Sequence, residues 1–171
     1  MVSIDFEYLD MFNITNTAHL FDMIDYSTYY WECNSSLKSI TWGEKFNTIN
    51  VMDMSCMFAG LDKLESINLE SFDVRNVTNL NSMFARCEKL ETIEVSTWNT
   101  TKAKNIGVMF YQTNSLKNLD VSKWNTSNVT NMGYMFYVTS SLTESDLSRF
   151  DTSSVMVCLV CVKLKQLILD I

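Results

Sequence analysis

From residue 57 onward the dipeptide Met-Phe recurs at 57–58, 83–84, 109–110 and 135–136, each step being 26 residues. A leucine column keeps the same step at Leu64, Leu90, Leu116 and Leu142. Several columns locked to one period leave few folds open. A period between 20 and 50 residues marks units that bury their apolar side only by stacking on neighbours. The stretch WNTSNVTNMGYMF (124–136) is therefore read as part of a structural coil, not as a site.

Two rhythms alternate inside one period. LESINL (64–69) sets Leu64, Ile67 and Leu69 in an L-x-x-L-x-L pattern whose second half alternates like a strand. LETIEV, LKNLDV and LTESDL repeat it, the last with Ser145 where an apolar residue is expected. An aromatic follows (Phe72, Trp98, Trp124, Phe150), then Asp73, Asn99, Asn125 or Asp151. Asx side chains close turns on their own backbone, so this column is expected to turn the chain out of the strand. Beyond it Val129, Met132, Met135 and Phe136 lie at i, i+3, i+6 and i+7, the spacing of a helical face.

These parts predict an α/β repeat: a leucine-rich-repeat-like solenoid with a short parallel strand plus a helical turn per 26-residue coil, in about six rungs. The rungs start at Leu37, Leu64, Leu90, Leu116, Leu142 and Leu164, and the last interval is shortened to 22 residues. Leu64, Phe72, Met83, Phe84, Leu90, Trp98, Met109, Phe110, Leu116, Trp124, Met135 and Phe136 are the expected structural core. Residues 1–36 fit the period poorly and are read as an irregular acidic and aromatic N-terminal cap, with the solenoid over 37–171. No C-terminal cap follows the last strand, where an uncovered edge would pair with another chain. A truncated protein, a divergent last repeat and an end-to-end homodimer all stay open there.

Charge narrows the partners. The net charge is −7, and residues 1–37 hold Asp5, Glu7, Asp10, Asp22, Asp25 and Glu32 with no Lys or Arg. An acidic chain without a basic stripe is a poor match for nucleic acid, whose recognition rests on neutralising phosphates, or for an anionic membrane surface. No segment reaches transmembrane length, so no direct membrane insertion is expected. MVSIDFEYLDMF lacks a basic region followed by an unbroken apolar run, so no signal peptide is expected in it. Cys33, Cys56, Cys87, Cys158 and Cys161 are scattered and odd in number, which is no disulfide framework.

With its columns laid out, the chain resembles the BspA-like leucine-rich-repeat surface proteins and the repeat of mycoplasma-type surface lipoproteins. LKNLDVSKWNTSNVTNMGYMF (116–136) matches nearly throughout the family unit, which reads approximately L-x-x-L-D-L-S-x-[FW]-[DN]-T-S-x-V-T-N-M-x-x-M-F-x-x-C. The likeness extends over about residues 37–155. The resemblance implies a cell-surface or secreted protein that binds host or neighbouring-cell components, often as an adhesin, with no catalytic residues to carry over. With no signal peptide in view, an intracellular location or a missing N-terminus stays open beside the surface location.

Outward strand positions are the partner-binding candidates: Asn68, Glu94, Asp120 and Asp146 in one column, and Glu70 at the head of a second whose later members are Ser96, Ser122 and Ser148. Stacked carboxylates repel, which a bound cation or a basic partner would relieve; water and salt screening is the simpler reading, so no metal is assigned. Thr48, Thr100, Thr126 and Thr152 form a hydroxyl column, with Val74 intervening, read as serving turns. Cys158-x-x-Cys161 has no second pair to complete four zinc ligands and is read as a repeat position. His19, the single histidine, has no sequence neighbour that suggests a catalytic partner. Without a phosphate-binding glycine motif either, the chain is expected to be no enzyme and to hold no cofactor. The expected function is protein or cell adhesion through the exposed strand face, or else self-assembly through the C-terminal edge.

Overall fold

The computed structural model describes every residue except 1, 8, 26, 28–31, 34, 144 and 154–171. The sixth rung from Leu164, the C-terminal edge and the Cys158–Cys161 pair lie outside the described residues.

The described residues hold four short strands: β1 (Val2–Phe6), β2 (Ile24–Asp25), β3 (Glu32–Cys33) and β4 (Leu37–Trp42). β1 runs parallel to β4, with Ile4 opposite Ile40 and Phe6 opposite Trp42. β2 and β3 form a two-residue antiparallel pair. Beyond β4 the chain is built of turns. Neighbouring periods meet at single parallel bridges, Ser66 to Thr92 to Asn118 on one side and Asp53 to Asn79 to Asn105 to Asn131 on another.

The α/β leucine-rich-repeat-like solenoid is thereby corrected. Among the described residues there is no helix, and the rungs after β4 hold no strand. Hydrogen bonding explains both departures. In the segment expected to be helical, alternate amides turn to the next period: Met54, Cys56, Phe58 and Gly60 donate to the carbonyls of Asn79, Asn81, Met83 and Ala85 at 2.8–2.9 Å. An amide spent on a neighbouring layer cannot close the i→i−4 bond of an α-helix. The amides between them close four-residue turns instead, as Met57 does on Met54 at 3.3 Å with Cys56 in the third position.

Those turns require left-handed backbone. Cys56, Ser82, Val108 and Tyr134 have φ of 53–60°, and Gly60, Arg86, Gln112 and Val138 form a second such column four residues on. The left-handed region penalises any residue with a Cβ, and the interlayer amide bonds of Cys56, Ser82, Arg86, Val108 and Gln112 help to hold them there. The expected strands are cut short for a separate reason. Two residues past the Ser66 bridge, the Asn68 side chain already takes the Glu70 amide and turns the chain away.

The apolar columns meet between these sides. All twelve expected core residues are buried, Trp124 at 2% and Phe110 at 0% exposure. Their spine is a ladder of phenyl rings, Phe21, Phe58, Phe84, Phe110 and Phe136, with centroids 5.4–5.9 Å apart and planes within 15° of parallel. Trp98 stacks on Trp124 beside it at 6.2 Å. Offset stacking of this kind adds about 0.5–1.5 kcal/mol per pair to the burial itself.

The ladder begins in residues expected to be an irregular cap. Phe21 is its first ring, Asn16 bridges Asp53, and the His19, Phe21 and Met23 amides donate to Ser55, Met57 and Ala59. This first layer is set 37 residues before its neighbour in place of 26. The excursion through β2 and β3 takes up most of the excess and hides the period from the sequence.

Candidate functional site

Glu94 and Asp120 each sit two residues past a bridge, where the layer turns. The Asp120 carboxylate accepts the Ser122 amide at 3.0 Å and the Ser122 hydroxyl at 2.7 Å. Glu94 takes the amide of Ser96 at 2.9 Å and its hydroxyl through the same oxygen. Asp146 accepts the Ser148 amide at 3.0 Å, and Asn68 the Glu70 amide at 2.9 Å. The residue types follow from this geometry: a short acceptor followed two places later by a hydroxyl makes a self-contained turn. Glu70 stands where later layers have serine and supplies the amide alone.

Stacking gathers these side chains into an exposed column. The Asp120 charge acts on both Glu94 and Asp146 and opposes their ionisation. The serine hydroxyl bond is the larger influence at Glu94, Asp120 and Asp146, and all three carboxyls lie below their ordinary values. The column is thus an ionised array whose members are each fixed by a turn. Asn68, Glu70, Glu94, Asp120 and Asp146 are all exposed, and the described structure brings them onto one edge.

The predicted Asx corner is present as a parallel device. Asp73, Asn99, Asn125 and Asp151 accept the amides of Arg75, Thr101, Ser127 and Ser153 at 2.9–3.2 Å. The threonine column does more than serve its own turn. Buried Thr48, Thr100 and Thr126 each accept the amide, and donate to the carbonyl, of the Asx residue 25 places on. A third Asx column, Asn16, Asp53, Asn79, Asn105 and Asn131, caps the left-handed turns through the amide two residues on.

One grouping escaped the sequence. His19 Nδ1 lies 2.6 Å from Asp22 Oδ2, and Cys56 joins them, one donor atom of each lying within 4.8 Å of the others. The signal was available: His19 stands three residues after Asn16 as Cys56 stands three after Asp53, and the two Asx residues are bridged. The inserted excursion concealed that alignment.

Outside these columns, exposed apolar side chains gather at the first two layers. Phe12 (64%) and Met52 (51%) lie on segments joined by the Asn50 side-chain bond to the Phe12 carbonyl and the Met52 amide bond to Thr15. No helix among the described residues is long and apolar enough to cross a membrane.

Comparison with known proteins gives one family. A family model described as Mycoplasma protein of unknown function, DUF285, matches residues 22–137 and again 117–159. No curated protein and no solved structure matches the chain.

Proposed function

The chain belongs to the DUF285 family of Mycoplasma proteins of unknown function, and from that premise we propose that it is a non-enzymatic, surface-type binding module working through its acidic turn column. The observation that carries this reading is the Glu94–Asp120–Asp146 array. Its three carboxylates are ionised, exposed and held by their own turns, so a partner meets charge that is already in place. Prepositioned charge favours fast, salt-sensitive association with a basic surface. A protein or cell-surface ligand with Lys or Arg at matching intervals is the class of partner such an edge fits.

The test removes charge without removing the turn. Asn68 shows that an amide oxygen closes the same turn, so Glu94→Gln, Asp120→Asn and Asp146→Asn together keep the caps. Beads coated with the purified chain are scored for adherence to intact cell layers over a range of salt. Adherence that falls several-fold in the triple variant, with an unchanged melting curve, supports the reading. Equal adherence at every salt concentration sinks it. Brief protease shaving of the native cells decides the location in the same study, a protected chain counting against a surface role.

A further inference from the structure

We infer that His19, Asp22 and Cys56 form a binding site for a divalent transition metal of the zinc class, placed where the first layer stacks on the second. The three side chains offer one nitrogen, one carboxylate oxygen and one sulfur, and these atoms lie within 4.8 Å of one another. Donors bound to a single zinc-type ion at about 2.0–2.3 Å are separated by about 3–4 Å. An approach of at most about 1–2 Å separates the donors from that spacing. Nitrogen with thiolate sulfur selects zinc, cobalt or a similar ion over magnesium or calcium, which take oxygen donors.

The backbone holds the three donors in register. The His19 amide donates to Ser55 and the Cys56 amide to Asn81, each at 2.9 Å, while the Asp22 amide closes a turn on the His19 carbonyl at 3.3 Å. His19 and Cys56 share the left-handed column, with φ of 59° and 53°, so one turn geometry presents both side chains on the same side of the stack in neighbouring layers. The second oxygen of Asp22, Oδ1, accepts the Ile24 amide at 3.0 Å and fixes the carboxylate plane.

Access is graded. The Cys56 residue is 9% exposed and the Asp22 side chain 7%, whereas the His19 side chain is 57% exposed at the mouth. An ion entering from that side meets the imidazole first, and binding sends the Cys56 thiol proton to solvent as the sulfur becomes a thiolate. Three protein donors leave a coordination position for water or for a donor from a partner. The left-handed column carries Ser82, Val108 and Tyr134 in later layers, so among the described residues this donor set is confined to one junction.

Cobalt titration of the full-length protein tests the assignment, because thiolate ligation gives a near-ultraviolet charge-transfer band. Saturation at one equivalent is expected. Cys56→Ser, the residue that the next layer uses at Ser82, is expected to remove the band, and His19→Asn to weaken binding by at least about tenfold. A chain carrying Cys158→Ser and Cys161→Ser should titrate like the parent. If the band is absent from the parent, survives Cys56→Ser, or vanishes with the Cys158 and Cys161 changes, the assignment is overturned. Should Cys56→Ser fail to fold, Asp22→Asn retains the acceptor for Ile24, and an unaltered cobalt titration of that variant overturns it equally.

Discussion

The Thr100 hydroxyl holds both backbone groups of Asn125, accepting its amide at 2.9 Å and donating to its carbonyl at 3.0 Å. The two residues are 25 apart in sequence and belong to successive layers. Thr100 is 2% exposed, so water is a poor substitute for either bond.

Thr100→Val preserves shape and removes both bonds, which is expected to destabilise the fold by about 1–3 kcal/mol. Val74 occupies the same column and is also 2% exposed, one layer earlier. Val74→Thr therefore supplies a hydroxyl where the staple is missing and should leave the urea midpoint at or above that of the parent. Equal midpoints for Thr100→Val and the parent would remove the staple from the account of stability.

Phe110 lies between Phe84 at 5.8 Å and Phe136 at 5.9 Å. Phe110→Ala opens a cavity in the middle of the ladder and is expected to cost about 3–5 kcal/mol. Denaturant unfolding followed by circular dichroism reads this directly. A loss below 1 kcal/mol would show that the ring contributes little to the stack.

Gly60 is at φ +74°, and a Cβ there would meet the backbone of Met23 and Ile24 at 2.9 Å. Gly60→Ala combines left-handed strain of about 1–2 kcal/mol with overpacking of about 1–3 kcal/mol. Val108→Asn is the opposite experiment, since Val108 is β-branched at φ 60° and asparagine accepts that region more readily. The first variant should melt lower than the parent and the second at least as high.

Stability should also fall in acid. In the folded chain the Glu94, Asp120, Asp146 and Asp151 carboxyls are held low, chiefly by the hydroxyl of the serine two residues on. A carboxyl depressed on folding contributes stability above its unfolded value and loses it as pH falls through the folded value. The urea midpoint is thus expected to drop below about pH 5. Changing Glu94 to Gln and the three aspartates to Asn should flatten that drop while the turns persist; a slope identical to the parent's would locate the acid sensitivity elsewhere.

Part of this structure is legible in the sequence because each side chain acts within its own turn or core column. The 26-residue step, the buried Met-Phe and leucine columns and the Asx corner at Asn125 follow from side-chain pattern alone. The acidic column is legible as exposed, while its serine partners look like a second, independent column until the bonds to Ser96, Ser122 and Ser148 are seen.

What the sequence could not decide is where each backbone amide bonds. The spacing of Val129, Met132, Met135 and Phe136 suits a helix, but the Phe110 amide reaches the Met135 carbonyl at 2.9 Å in the next layer. Side-chain periodicity reports which residues face the core and is silent on whether their amides bond within a segment or between layers. Only the assembled stack brings a second set of carbonyls within reach, and it selects left-handed turns over a helix. The same assembly places Cys56 beside His19 and Asp22, because a bridge from Asn16 to Asp53 counts layers, not residues along the chain.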